Sequence, residues 1–150
     1  MSRRVALSLT AGVVVLAGAG AFAVAHAENQ PPALAHGTAR YTAPDGHRDG
    51  SFTFTTEVTA SSGVKSLKVL AWPAQSSLAE KAPTAEEMAA AEPATCKPAG
   101  QDTVRCVYTT EVTGADAASS PRGRWRVAVL ATAEDGTTTL DTKAAGFTVG

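Results

Sequence analysis

Apolar and polar residues alternate in several short runs along this chain, and each run predicts a half-buried β-strand. The clearest run is Ser51 to Ala60, in which Phe52, Phe54 and Val58 fall on one face. The strands predicted in this way cover residues 51–60, 64–72, 103–113, 124–133 and 137–140, between a first edge strand that ends near residue 43 and a last strand near the end of the chain.

Turn residues separate these runs at short intervals, which is typical of an all-β, antiparallel β-sandwich. Six or seven strands are expected, and an up-and-down barrel is the alternative. In the last strand, the parity of Phe147 and Val149 does not match that of Leu140. A bulge or a break is therefore expected near Gly146.

Residues 73–95 interrupt the β pattern. Within them, Thr84 and Glu87 have the spacing of a capping box, in which each side chain accepts a hydrogen bond from the backbone N–H of the other residue. The sequence therefore predicts a short helical insert over about residues 84–92.

So short a helix needs support from the rest of the fold. We expect Met88 to pack over Leu70 or Trp72, at the end of the preceding strand. Trp72 has two possible roles, because it lies at a strand end beside the insert. It either packs against the core and the insert or belongs to an exposed binding surface.

The first 27 residues have the three parts of an export signal. Two arginines are followed by an uncharged run to residue 25 and then by a small-x-small sequence. We therefore expect a signal peptide over residues 1–27, cleavage between Ala27 and Glu28, and a secreted domain over residues 28–150. An uncleaved membrane anchor is the alternative, and the general secretory route is favoured over the twin-arginine route.

The expected mature chain has 123 residues, which is the size of one domain. Loss of Arg3 and Arg4 leaves 11 of the 13 basic residues against all 14 acidic ones, a net charge of −3. This charge is too balanced for an electrostatic nucleic-acid binder or a polybasic membrane adhesive. We expect no nucleic-acid partner, and no membrane contact after cleavage.

The chain has two cysteines, Cys96 and Cys106. An exported protein meets an oxidising environment, so a structural disulfide is expected. By closing an 11-residue loop, it would stabilise the fold by about 2.5–3 kcal/mol. Because Cys96 falls outside the predicted strands, the bridge is expected to tie the helical insert to the strand over residues 103–113.

Two stretches, residues 62–69 and 123–136, resemble the third strand and the penultimate strand with its turn in bacterial immunoglobulin-like domains. In the second stretch Trp125 follows a glycine, and the strand ends near an acidic-glycine turn. The resemblance implies an immunoglobulin-like β-sandwich. Val127 occupies the position where antibody-type domains carry a bridging cysteine, so the bridge here is not expected to join two sheets.

A second resemblance covers nearly the whole of the expected mature chain. It is carried by Val69–Pro73, Pro83–Met88, the two cysteines and Arg124–Gly136. Together these features are similar to a family of small exported actinomycete proteins of unknown function. The resemblance implies no activity, because none is assigned to that family.

Asp45, His47 and Asp49, followed by Gly50, have the spacing of the first half of a calcium-binding loop. His47 offers nitrogen where calcium prefers oxygen, and Thr56 stands at the twelfth position, where a carboxylate is needed. The pattern favours a solvated turn, and these three residues stay the candidate metal ligands. No cofactor is expected.

Nothing in the sequence predicts catalysis. There is no G-x-S-x-G turn and no thiol free to pair with a histidine, since both cysteines are expected to be oxidised. A sandwich of this size also has little volume for a deep pocket. The protein is therefore expected not to be an enzyme.

A cluster of basic residues near one strand start consists of Arg122, Arg124 and Arg126. Such a cluster is either a solvated outer face or a surface that contacts an anionic cell-wall polymer or an acidic protein. We expect an exported, non-catalytic β-sandwich that acts as a surface-binding or accessory module at the cell envelope or in the medium. The alternative is a secreted inhibitor of an extracellular hydrolase, with the loop Lys97 to Asp102 entering the enzyme cleft.

Overall fold

The computed structural model describes residues 30–77 and 80–150. The expected signal peptide, residues 1–27, and its cleavage site at Ala27 and Glu28 lie outside the described residues. The elements, in chain order, are β1 Ala33–Thr42, β2 Gly50–Thr59, β3 Val64–Pro73, α1 Ala85–Met88, β4 Glu92–Pro93, β5 Thr95–Gly100, β6 Thr103–Val112, α2 Gly114–Ser119, β7 Gly123–Ala133 and β8 Thr138–Val149.

The strands form two four-stranded antiparallel sheets. Sheet I has the order β1-β2-β6-β5, and sheet II has the order β4-β3-β7-β8. Lettered in chain order, with β4 as a short addition beside β3, these are the ABED and CFG sheets of an immunoglobulin constant-type sandwich. The predicted immunoglobulin-like sandwich is confirmed, with eight strands in the described part of the chain where six or seven were expected.

The main core lies between the two sheets and is built from the alternating faces that the sequence predicts. Its fully or nearly fully buried members are Phe52, Phe54, Val58, Leu67, Val69, Cys106, Val127, Val129 and Ala131. Val127, at the position of the antibody-type bridging cysteine, is one of these apolar core residues. Burial of this apolar surface is the main source of stability in the sandwich.

A second, smaller core lies on the outer face of sheet II, beneath the helical insert. Met88 of α1 is completely buried there with Trp72, Ala128 and Leu130, and Leu70 packs against the cluster. The predicted packing of Met88 over this strand end is confirmed. The insert thus gives sheet II two apolar faces over part of its length.

The capping box of the insert is formed as predicted. The backbone N–H of Glu87 donates to the Thr84 hydroxyl oxygen (3.1 Å), and the backbone N–H of Thr84 donates to the Glu87 carboxylate (2.9 Å). The helix itself covers only Ala85–Met88. These bonds satisfy two backbone donors that would otherwise lack partners at the helix start.

Two elements differ from the sequence prediction. Residues 97–100, expected as a turn, belong to strand β5, which pairs with β6 over Thr95–Gly100. Residues 114–119, which fall between the predicted strands over 103–113 and 124–133, form the short helix α2, capped by Thr113 and Asp116. The strand over residues 97–100 forms through pairing with β6 despite a weak β propensity. The helix over residues 114–119 forms with the help of its capping residues despite a weak helix propensity.

The irregularity predicted in the last strand exists but lies elsewhere. β8 is continuous through Gly146, which pairs with Arg126. The register shifts between Val127, which pairs with Ala145, and Val129, which pairs with Asp141. The two extra residues of β8 therefore lie between Asp141 and Ala145. Because an even number of residues is added, the alternation of faces is unchanged. The parity mismatch is real: Leu140 packs against the second core on the outer face of sheet II, whereas Phe147 packs against the main core.

Candidate functional site

The basic residues of β7 lie beside a shallow groove of about 250 Å³ on sheet II. We call this the cationic groove; its lining is Arg124, Trp125, Arg126, Lys143, Ala145 and Gly146. The first three residues come from β7 and the last three from the neighbouring strand β8. The groove is open, so it suits part of an extended molecule better than a small enclosed ligand.

Strand alternation places the two arginines on the solvent side. Arg124 and Arg126 alternate along β7 with Trp125 and with the buried Val127. Arg124 is exposed and Arg126 is half-buried. The predicted outward orientation of both arginines is therefore confirmed.

Lys143 and Gly146 belong to the groove but were missed by sequence reasoning. Lys143 is exposed on β8, and Gly146 lies directly across from Arg126 in the strand pairing. Because Gly146 has no side chain, nothing from β8 projects into the groove at this position. Their place depends on the β8 bulge, and no local pattern in the sequence locates that bulge.

The cations of the groove carry no neutralising partner among residues 30–77 and 80–150. The ion pairs found within 4 Å in this part of the chain join Glu57 to His36 and to Arg105, on sheet I. Arg124, Arg126 and Lys143 are not among them. Unpaired cations beside a groove create a local positive potential in a chain whose overall charge is negative.

The third arginine of the predicted cluster, Arg122, is exposed and precedes β7, outside the groove lining. Trp125 lies between the two arginines on β7, with its side chain on the inner face of the strand. Its indole N–H donates to the Pro121 carbonyl oxygen (2.9 Å), and its ring packs at 5.8 Å against Phe147. Trp125 is half-buried, and these contacts hold the start of β7 in place.

Trp72 does not belong to an exposed binding surface, which corrects one of its two expected roles. Its side chain is only 4% exposed, and it packs with Met88 under the insert. Its indole N–H is buried and finds no acceptor among the described residues. Coverage by the helical insert removes this ring from solvent.

The disulfide between Cys96 and Cys106 is confirmed. Its expected location needs correction, because Cys96 is part of β5 and pairs directly with Cys106 of β6. The bridge therefore joins two neighbouring strands of sheet I. It does not tie the helical insert to a strand.

The candidate metal ligands form a turn. One carboxylate oxygen of Asp45 accepts hydrogen bonds from the backbone N–H groups of His47 and Arg48, each at 2.9 Å. This local use of Asp45 is typical of an Asx turn. The described chain contains no group of three or more His, Cys, Asp or Glu residues that could hold a metal ion. This finding includes Asp45, His47 and Asp49.

The segment predicted as an inhibitory loop is not a protruding loop. Lys97 to Gly100 form the end of β5, and only Gln101 and Asp102 make the turn to β6. The outer surface of these two strands carries a broader depression of about 620 Å³, lined by residues that include Lys97, Arg105 and Val107.

Of the two cations that line this second depression, Arg105 is paired with a carboxylate, and Lys97 forms no ion pair in the described chain. The Arg105 guanidinium donates to the Glu57 carboxylate at 3.0 Å, and His36 lies 3.2 Å from the other carboxylate oxygen. The hydrogen bond from Arg105, followed by the one from His36, lowers the pKa of Glu57 below its ordinary value of 4.5. This cluster ties β1, β2 and β6 together across sheet I.

Fold and surface together define a disulfide-bonded, immunoglobulin-like β-sandwich with a cationic groove on one sheet. A model of a family of unknown function, DUF5707, matches residues 34–131, and the chain belongs to this family. No curated protein and no solved structure matches the chain. Within the described residues, no helix is long and apolar enough to cross a membrane.

Proposed function

We propose that this protein is an exported, non-catalytic binding module that attaches to an anionic polymer of the cell envelope through the cationic groove. The observation that carries the proposal is the set of three cationic side chains, Arg124, Arg126 and Lys143, that line one groove and form no ion pair within 4 Å in the described chain. The carboxylate of Asp141 accepts the backbone N–H of Lys143 (2.9 Å) and forms no ion pair with the Lys143 ammonium. Arginine and lysine in such a setting bind phosphate and carboxylate groups.

Other features fit this role. The disulfide between Cys96 and Cys106 suits an oxidising compartment, as expected for a protein with an export signal. The groove lies on two paired strands of a rigid sheet, so its cations are held in place without an induced change of the backbone. Because the expected mature chain carries a net charge of −3, attraction to a polyanion has to come from this local patch.

Retention on isolated cell walls tests the proposal. The protein recovered after export of the full chain is mixed with the producing cell's wall fraction at low and at high salt. We expect retention at low salt and release at high salt, because salt screens exposed charges. The double variant Arg124→Glu with Arg126→Glu is expected to lose retention.

A matched control separates a local effect from a change in net charge. Lys65→Glu with Lys97→Glu makes the same charge change at two exposed lysines outside the groove. This control is expected to stay bound. Retention of the arginine variant equal to that of the control would overturn the proposal.

A further inference from the structure

We propose that the polymer bound in the cationic groove is a linear phosphodiester chain in which six backbone bonds separate successive phosphorus atoms, the class that includes poly(glycerol phosphate). This inference rests on the proposed function, because it names the chemical class of the ligand for the same groove. It follows from the spacing of the arginines, from the open groove floor and from the lack, within residues 30–77 and 80–150, of an exposed aromatic platform beside them.

The spacing comes from strand geometry. Arg124 and Arg126 are two residues apart on one face of β7, so their Cα atoms are about 6.5–7 Å apart along the strand. A fully extended chain covers about 3.3–3.6 Å for every three covalent bonds. Six bonds therefore span about 6.6–7.2 Å in an extended chain, which matches the interval between the Cα atoms from which the two arginine side chains extend.

The chemistry of the side chains fits phosphate. A guanidinium presents a planar fork of donors that pairs with two phosphate oxygens, whereas an ammonium acts as a point charge. Arg124 and Arg126 can each hold one phosphate of the repeat. Lys143, on the neighbouring strand, adds a third cation at the same groove.

Gly146 gives the polymer room to approach the sheet. It lies across from Arg126, and a Cβ atom at this position would meet only the Trp125 carbonyl oxygen, at 3.4 Å. A side chain is therefore sterically acceptable to the fold here. A larger side chain would fill the groove without changing its charge.

Single-stranded nucleic acid has the same six-bond repeat, but the groove lacks what such ligands need. Proteins that bind single strands stack bases on exposed aromatic rings. Trp125 is half-buried against Phe147 with its N–H bonded to Pro121, and Trp72 lies under the insert. A polyuronate carries its carboxylates as substituents on sugar rings, so its charges do not follow a six-bond backbone repeat.

Binding to defined soluble polymers tests the inference. The exported protein is labelled, and its affinity is measured for poly(glycerol phosphate), polygalacturonate and oligothymidylate across a range of salt concentrations. We expect poly(glycerol phosphate) to bind at least about tenfold more tightly than the other two. For three phosphate contacts, the slope of log K against log salt is expected to be about −2.

Variants locate the binding. Arg124→Gln with Arg126→Gln leaves one phosphate contact, so the slope of log K against log salt for poly(glycerol phosphate) is expected to be about −0.7. The affinity for this polymer is expected to fall at least about tenfold. The matched control, Lys65→Gln with Lys97→Gln, is expected to bind like the natural protein. Gly146→Val is expected to weaken binding at unchanged net charge.

The outcomes separate the two proposals. One outcome is that polygalacturonate or oligothymidylate binds as tightly as poly(glycerol phosphate) and loses as much affinity in the arginine variant. The phosphodiester inference is then wrong, and the groove remains a binding site for polyanions in general. If none of the three polymers binds at low salt, the phosphodiester inference is wrong, and retention on cell walls decides the proposed function. If the arginine variant and its control bind alike, both proposals are wrong.

Discussion

Cys96 and Cys106 face each other across the neighbouring strands β5 and β6, with their Cα atoms 4.0 Å apart. The bridge holds an edge strand whose last residues, Pro98 to Gly100, have little intrinsic preference for β structure. It therefore secures the part of sheet I with the weakest local sequence signal.

The first prediction concerns this bridge. Replacing both cysteines, Cys96→Ala with Cys106→Ala, is expected to lower the free energy of unfolding by about 2.5–3 kcal/mol, because the unfolded chain regains the freedom of the loop. Chemical denaturation measures the change. Reduction of the natural protein should produce a similar loss, and an unchanged midpoint in both experiments would contradict the prediction.

The two Asp-Gly pairs of the β1–β2 connection give a second prediction. A Cβ atom on Gly50 would collide with the backbone of Thr42, Ala43 and Pro44, whereas a Cβ atom on Gly46 would meet nothing within 4 Å. Gly50→Ala is expected to destabilise the fold by about 3 kcal/mol, at the upper end of the usual cost of overpacking, since backbone atoms cannot move aside easily. Gly46→Ala is expected to change stability by less than about 0.5 kcal/mol.

Thermal or urea unfolding of the two alanine variants provides the comparison. The two substituted glycines lie four positions apart, and each follows an aspartate, so the two variants have the same amino-acid composition. Equal stability of the two variants would show that Gly50 does not pack against the backbone of residues 42–44 at the end of β1.

A third prediction concerns the helical insert. Met88→Ala removes the one completely buried side chain of α1. We expect a loss of about 2–5 kcal/mol, toward the lower end because the short insert can relax into the space. Met88→Leu, which keeps the volume, is expected to cost less than about 1.5 kcal/mol.

Tryptophan fluorescence reports the same change directly. Trp72 is buried beneath Met88, so Met88→Ala should shift its emission toward longer wavelength as solvent reaches the ring. Measurement in a Trp125→Phe background isolates Trp72. Unshifted emission in the alanine variant would mean that the insert does not shield this ring.

A fourth prediction is a pH dependence that involves Glu57. Hydrogen bonds from Arg105 and His36 lower the pKa of Glu57 in the folded protein. A carboxylate with a depressed pKa stabilises the fold above its unfolded pKa, and this contribution is lost as pH falls through the folded pKa. Acid should therefore weaken the fold below about pH 4.5.

Glu57→Gln removes this titrating group and is expected to flatten the fall in stability below that pH. Unfolding midpoints measured between pH 6 and pH 3 give the comparison. Asp49→Asn, which changes an exposed carboxylate of the β1–β2 connection, is the control. Parallel pH curves for the natural protein and Glu57→Gln would contradict the role of the Glu57 cluster.

Strands whose apolar and polar residues alternate strictly, such as β2 and the first residues of β7, could be predicted, because the alternation is visible in the sequence of the strand itself. Phe52, Phe54 and Val58 are buried as the pattern indicates. β5 could not be predicted, because its pairing depends on β6 and the bridge at Cys96 rather than on its own residues.

The candidate site was partly predictable for the same reason. Alternation along one strand is enough to place Arg124 and Arg126 on an outer face. Lys143 and Gly146 join them only through the register of β8, which a bulge resets. Trp72 was ambiguous because the insert makes sheet II apolar on both faces at that end, and alternation cannot distinguish two buried faces.

The most direct test of the central claim is a map of the binding surface. Backbone amide chemical shifts of the exported protein are followed by NMR while soluble anionic polymer released from the producing cell's wall is added at low salt. We expect the largest changes at residues 124–126 and 143–146, and their loss in the Arg124→Gln with Arg126→Gln variant. Changes confined to sheet I around Lys97 and Arg105, or no changes at any residue, would contradict the assignment of the cationic groove as the binding site.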